Sequence, residues 1–277
     1  MSSQTVTPEL RDWIREQLQA GCRTDDVLQA MQASGWERAI ALAALQGMLQ
    51  DVEGDEAGPD GMPHIELSTA PNRLVLPDRT VDVLATLALP RVVVLGGFLS
   101  DEECDGLVAL ANSRLARSET VVADTGGSEV NSARTSEGMF FERGESALCE
   151  RIEARIAALV HWPVSHGEGL QVLRYRPGAQ YLPHHDYFDP HQPGASTILS
   201  RGGQRLATLV MYLNTPDGGG ATTFPDVGLE VAPIKGHAVF FSYPRPDAAT
   251  RTLHGGAPVQ AGEKWVATKW LRQREFR

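Results

Sequence analysis

Apolar positions in the first fifty residues recur three and four apart, as on one face of a helix. Leu10, Trp13, Ile14 and Leu18 form the first such stripe. Thr7, Pro8 and Glu9 open it with a capping hydroxyl, a first-turn proline and an acid at the positive end of the helix dipole. Gly21 can end it. Thr24, followed by Asp25 and Asp26, opens a second stripe through Val27, Leu28 and Met31 that stops at Ser34 and Gly35, and Trp36 to Leu49 makes a third. The run EGDEAGPDGMP, residues 53–63, then breaks all periodicity and reads as a linker. Beyond it the apolar segments shorten. LPRVVVLGGFL, LATLVMYLN, LEVAPI, HAVFFSY and KWVATKWL are rich in β-branched and aromatic residues and separated by Gly and Pro, which predicts strands. Two helical stretches interrupt them: SDEECDGLVALANS, with Ser100 as its cap and an acidic first turn, and SALCERIEARIAALV. The expected organisation is a small helical module over 1–52, a linker over 53–63 and a larger domain over 64–277. That domain is α+β, mainly β: a sandwich or barrel buttressed by helices on one side.

Composition narrows the function classes. A formal net charge of -10 argues against a nucleic-acid binder, because phosphate contacts need concentrated Lys and Arg. The nearest basic cluster, KWLRQREFR at the C-terminus, reads as a solvated strand end. Cys22, Cys104 and Cys149 are far apart and in no paired spacing, so neither a disulfide framework nor a cysteine zinc site is indicated, and a cytoplasmic location is expected. No apolar run approaches the ~20 residues a spanning helix needs, so no membrane partner is expected. In length and rhythm the three N-terminal helices resemble ubiquitin-associated-like modules; docking of a protein partner is the expected role, and a helical appendage that only aids solubility or folding is the alternative.

Candidate chemistry concentrates in YLPHHDYFDP, residues 181–190. In an extended strand, residues two apart share a side, so His184 and Asp186 can meet one target while His185 points away. An imidazole and a carboxylate are two ligands of the kind a non-haem ferrous site takes, with a third from elsewhere and open positions remaining. His254, in TLHGGAP, is the candidate third, since the two glycines after it permit close backbone approach. By itself an H-x-D pair does not separate a metal site from a surface pair. Lys264, ten residues after His254, opens an apolar strand. A lysine pointing into a barrel is costly unless an anion meets it, which a dicarboxylate would do. The polar, Gly-rich segment 189–204 that follows the pair shows no strand pattern and reads as a lid.

YRPGAQYLPHHDYF, GGATTFPDVGLEVAPIKGHAVFF and TLHGGAPVQAGEKWVATKW, with PRVVVLGGFLSDEEC and RTSEGMF, resemble the iron- and 2-oxoglutarate-dependent prolyl 4-hydroxylases of the collagen type and their bacterial relatives. The likeness runs from about Pro90 to the end. It implies a double-stranded β-helix, or jelly-roll, that holds Fe(II) by His184, Asp186 and His254. It further implies that Lys264, Tyr175 and Thr222 bind 2-oxoglutarate, that O2 is consumed and that ascorbate serves as reductant. Succinate would form as a prolyl residue of a peptide or protein is 4-hydroxylated. Related halogenases lack the carboxylate, so Asp186 favours hydroxylation. By position in the family pattern, Arg134, Ser136, Glu168, Tyr181, Arg205 and Trp270 would line the peptide groove. The same chemistry on a free amino acid, a natural-product peptide or a non-proline residue is the alternative substrate reading. An inactive jelly-roll serving as an interaction module is the alternative of another class, against which the intact set of His184, Asp186, His254 and Lys264 speaks.

Overall fold

The computed structural model describes residues 6–7, 10, 13–14, 17, 24–45, 61–118, 120–121, 128–129 and 134–277. The chain divides into two compact units, 1–58 and 59–277. In the first, residues 10, 13, 14 and 17 are helical, helix α1 spans Thr24–Ala33, and residues 38–45 form a further helix. Ile14, Val27, Leu28, Met31, Ala41 and Leu45 bury their side chains together. Helix α1 stops where the pattern predicts, at Gly35, whose φ of 90° is open to glycine and strained for other residues. Cys22, the end of the expected third helix and most of the expected linker lie outside the described residues.

In the second unit, nine strands form one antiparallel sheet. Their spatial order is β1 (Arg73–Val75), β2 (Thr80–Leu87), β3 (Arg91–Gly96), β14 (Ala238–Ser242), β10 (Arg205–Tyr212), β17 (Lys264–Arg272), β8 (Leu170–Tyr175), β7 (Glu137–Phe141) and β4 (Ala116–Arg117). A four-stranded sheet has the order β13 (Leu229–Val231), β12 (Thr222–Phe224), β15 (His254–Gly256) and β9 (Tyr181–His184). Two short ribbons pair β5 (Thr120–Val121) with β6 (Ser128–Glu129), and β11 (Gly218–Gly219) with β16 (Val259–Ala261).

The two-residue period of the central strands divides the core. On β14, Ala238 and Phe240 join Leu209, Met211 and Ala267 on the face covered by helices α2 (Asp101–Asn112) and α3 (Ala147–Val160). Val239 and Phe241 join Tyr212, Val266, Phe224 and Val231 between the two sheets. Each face therefore has its own apolar set, and the site lies on the second. Both helices start at the serines expected of them. Ser100 forms a capping box with Glu103, and Ser146 accepts from the Cys149 amide.

One expectation fails here in part, and one segment has more regular structure than its pattern shows. The basic C-terminal stretch is a solvated strand end only beyond Arg272: β17 lies between β10 and β8 with all nine of its residues buried, whereas residues 273–277 are exposed or half-buried. Lys269 is 2% exposed and is matched by Glu153 of α3, with Nζ 2.5 Å from Oε1. Gly167 makes room for it, since a Cβ there would lie 2.3 Å from Lys269 Cε. The segment 189–204 also contains a short helix, α4 (Ala195–Ser200), which its glycines and prolines hide from periodicity.

Candidate active site

His184 ends β9 and faces His254 at the start of β15, the two being paired across the ladder. The register slips between this pair and the next, Gly256 with Tyr181, so three steps on β9 match two on β15. That bulge contains Pro183, which has no amide proton to give the ladder. Its consequence departs from simple alternation. Tyr181 and His184, three apart, come to the same side and stack with ring centroids 3.7 Å apart. The close approach of β15 needs Gly255, where a Cβ would sit 2.9 Å from the Tyr181 carbonyl oxygen.

Asp186 follows just beyond the strand. Its Oδ1 lies 3.5 Å from His184 Nε2 and its Oδ2 3.4 Å from His254 Nε2. One ligand atom from each of the three residues falls within 4.8 Å of the others, and this is the one such cluster among the described residues. Each imidazole is oriented through its other nitrogen. His184 Nδ1 donates to the Leu182 carbonyl and His254 Nδ1 to the Thr252 carbonyl, both at 2.9 Å, which leaves Nε2 with a free lone pair. Burial, and then His254, push His184 down from its ordinary value of 6.5. Burial opposes ionisation of Asp186, but charge and hydrogen bonding from the two imidazoles in their protonated form, whose place a cation would take, outweigh it and hold the carboxyl well below 3.8. A neutral imidazole and a carboxylate are the forms that ligate a divalent cation, so the donor set fits Fe(II). His185 is not in the cluster; it stacks on Tyr187 with centroids 4.7 Å apart.

A cavity of about 50 Å³ runs inward from the three residues to Tyr175, Thr222 and Lys264. Lys264 is directly across from Tyr175 on neighbouring strands and is 4% exposed. Its Nζ lies 5.4 Å from the Tyr175 ring centre and 5.8 Å from that of Tyr212. No described residue forms an ion pair with it. Burial alone pushes the ammonium down from 10.5 to about 8. A buried cation with no counter-ion fits a ligand that ends in a carboxylate. Thr222 accepts from the Tyr212 hydroxyl at 2.8 Å, which leaves its own proton for another acceptor.

Outside the three residues opens a cleft of about 640 Å³, lined among others by Arg134, Tyr181, Arg205, Trp270, Phe140 and Ile198. Arg205 is held flat, its guanidinium carbon 4.0 Å from the Trp270 ring centre and 4.7 Å from that of Phe188. Glu168 does not line the cleft. It forms a two-bond pair with Arg205, at 2.6 and 2.9 Å, and lies 3.3 Å from Arg272. Burial opposes the Arg205 charge, but Glu168 outweighs it and raises the guanidinium above its ordinary range. Arg272 in turn donates to the Ile198 and Arg201 carbonyls at the end of α4. Ser136 is 0% exposed and donates to Ser118 at 2.9 Å, and Ser118 is the one that reaches the cleft wall. Arg134 donates to Gln171 at 2.7 Å and lies over the Tyr181 ring.

Thr208, Tyr243 and Tyr212 are the site residues that sequence reasoning missed. Thr208 and Tyr212 sit on β10 with even spacing around Val210, a signal present in LATLVMYLN but indistinguishable from core. Burial raises both tyrosines above their ordinary range, so the hydroxyls keep their protons.

Comparison with known proteins places this geometry. Residues 170–272 match the family model described as the 2OG-Fe(II) oxygenase superfamily. Over 210 residues the chain is 42% identical to prolyl 4-hydroxylase 5 of Arabidopsis thaliana, covering 68% of this chain and 70% of that one. It is 44% identical over 203 residues to prolyl 4-hydroxylase 1 of the same plant, with coverage of 67% and 70%. Among solved structures, the viral collagen prolyl hydroxylase of Paramecium Bursaria Chlorella virus-1, in a 2OG complex, is 32% identical with a TM-score of 0.50, covering 65% of this chain and 95% of that one. The sandwich is thus a 2OG-Fe(II) oxygenase jelly-roll, and the chain belongs to the prolyl 4-hydroxylase family.

Proposed function

We propose that this protein is a 2-oxoglutarate-dependent dioxygenase that 4-hydroxylates prolyl residues of peptides or proteins, with conversion of 2-oxoglutarate to succinate and carbon dioxide. The observation that carries the reading is one continuous space with His184, Asp186 and His254 at its mouth and the unpaired ammonium of Lys264 at its floor. A ferrous ion held by those three residues supplies the oxidative chemistry together with 2-oxoglutarate and O2. The protein's own work is positional. Lys264 takes the far carboxylate of 2-oxoglutarate, and the hydroxyls of Tyr175 and Thr222 complete its hydrogen bonds. Apolar Leu173, Val210 and Val266 line the same cavity and keep water from the reacting end.

For the peptide we assign Tyr181, Trp270 and Arg205 to the groove. Their flat rings and guanidinium suit an extended proline-rich chain, which has many carbonyl acceptors and few amide donors. Glu168 acts through Arg205, and Ser136 through Ser118, so we assign both as positioning residues; Arg134 is the groove's far wall.

Incubation of a proline-rich peptide library with enzyme, iron, ascorbate and 2-oxoglutarate is expected to add one oxygen, placed on proline by fragmentation. Oxygen found only on other residues, or consumption of 2-oxoglutarate without any modified peptide, would sink the assignment. In the same assay Arg205→Lys should need about tenfold more peptide at an unchanged 2-oxoglutarate requirement, since lysine cannot keep the planar two-bond pair or the ring stack.

The reading extends to three further points. Ascorbate serves as reductant. The free, buried Cys104 and Cys149 support a reducing cytoplasm, and no described helix is long and apolar enough to cross a membrane. Residues 1–52 act as a docking module for a protein partner, joined by residues 53–63 to the catalytic domain of residues 64–277. Removing 1–52 should then raise the Michaelis constant for a protein substrate and leave that for a short peptide unchanged, and an equal change in both would rule docking out.

A further inference from the structure

Behind the metal-binding cluster lies a chain of hydroxyls. Thr208 Oγ1 donates to Asp186 Oδ2 at 2.7 Å and sits 2.9 Å from the Tyr243 hydroxyl. A threonine hydroxyl has a single proton. With that proton on the carboxylate, the second contact must run the other way, and Tyr243 donates to Thr208. The order is Tyr243 to Thr208 to Asp186. Thr208 is 0% exposed and Tyr243 1%, so water does not compete for either bond. A neutral hydroxyl chain in such surroundings is held in one direction because reversing it would leave a carboxylate oxygen without its donor. The Asp186 backbone is fixed too, by Arg205 Nη1 on its carbonyl at 3.4 Å.

We propose that Tyr243 and Thr208 are positioning residues that engage Asp186 Oδ2 with a hydroxyl donor and so favour Oδ1, which has no hydroxyl donor, as the oxygen that binds metal. The inference rests on the metal-site reading given above. Its chemical consequence concerns coordination number. A carboxylate that binds through both oxygens takes two positions, and a three-residue site of this kind works through the positions its ligands leave open. The relay thus protects an open position by taking one of the two acceptor sites of Oδ2 and weakening that oxygen as a metal ligand. Outer partners of this type also set ligand basicity, and their loss lowers metal affinity by about 10- to 100-fold.

The test uses the full chain and Co(II), whose visible absorption reports both affinity and coordination number. Tyr243→Phe, which removes one oxygen atom and keeps the ring, should weaken Co(II) binding by about tenfold and change the band intensity toward a higher coordination number. Thr208→Val should weaken it at least as much. Adding Tyr243→Phe to Thr208→Val should cost nothing more, because the tyrosine then has no acceptor to lose. Thr208→Ser keeps the hydroxyl and should restore parental affinity and spectrum, which separates the relay from general damage to the core. An unchanged affinity and spectrum in Tyr243→Phe, or losses that add in the double variant, would overturn the proposal. Parental Co(II) affinity in His254→Ala would instead overturn the underlying metal site. Loss in His254→Ala with none in Tyr243→Phe condemns the relay alone.

Discussion

Replacing Lys264 with methionine is expected to raise the 2-oxoglutarate requirement by about 100-fold or more and, in the same variant, to make the ligand-free protein more heat-stable. The opposite signs have one cause. Burial, with no counter-ion among the described residues, holds the ammonium down at about 8 against 10.5. Because the folded value lies below the unfolded one, the charged lysine destabilises the fold fully below pH 8, and the penalty fades as pH rises from 8 to 10.5. At pH 7 it amounts to about 3 kcal/mol. Methionine has similar length and no charge, so it removes the penalty. It also removes the partner of a buried carboxylate, a loss of about 2–5 kcal/mol in binding.

Turnover should recover at saturating 2-oxoglutarate, since the lysine binds rather than reacts. In the parent enzyme, affinity should hold constant below pH 8 and fall above it as the ammonium loses its proton, by about tenfold per unit. The variant should lack that dependence. Titration of 2-oxoglutarate by calorimetry across pH, with thermal melts of the ligand-free proteins, reads all of this. An unchanged 2-oxoglutarate affinity in Lys264→Met would remove Lys264 from the cosubstrate site.

His254→Ala is expected to abolish hydroxylation and to lower metal affinity by more than about 100-fold. Outer partners of a ligand already cost up to about 100-fold when removed, and a ligand itself must cost more. The informative comparison is His185→Ala. His185 lies between His184 and Asp186 in the chain but stacks on Tyr187 and takes no part in the cluster. Its removal should leave metal binding in place. Equilibrium dialysis against Fe(II) or Co(II) distinguishes the two, and comparable losses in both variants would mean that the cluster has been misassigned.

Doubled histidines show how far the chain can be read by itself. Two-residue alternation selects His184 and Asp186 over His185, and the glycines after His254 signal a close strand. Lys264 stands out because a charge at the head of an apolar strand needs a reason. Each of these is a local signal. Alternation misleads at Tyr181, which the bulge at Pro183 turns to the same side as His184, and a bulge depends on the partner strand. It also misleads at KWLRQREFR. Lys269 and Arg272 look solvated until Glu153 and Glu168, more than 100 residues earlier, are brought against them.

The residues proposed for the peptide groove divide in the same way. Arg205 and Trp270 reach the cleft, whereas Glu168 and Ser136 act one contact behind it. Spacing cannot tell a residue that touches a ligand from one that holds its neighbour, because both occupy the same strand face. Thr208, Tyr212 and Tyr243 were hidden for a related reason. A hydroxyl in a run of apolar residues looks like core until its acceptor is known.

Periodicity, caps and turn residues along the chain were enough to determine the helices among the described residues of the first unit, the strand-rich second one, the starts of α2 and α3, and the residue types in the cluster of His184, Asp186 and His254. These depend on neighbours within a few positions. Tertiary structure alone decided which buried charges have partners, which way the hydroxyl chain behind Asp186 runs, and that Lys264 has no counter-ion among the described residues. Each of those is a property of pairs far apart in sequence, where burial removes water and makes the presence or absence of one partner decisive.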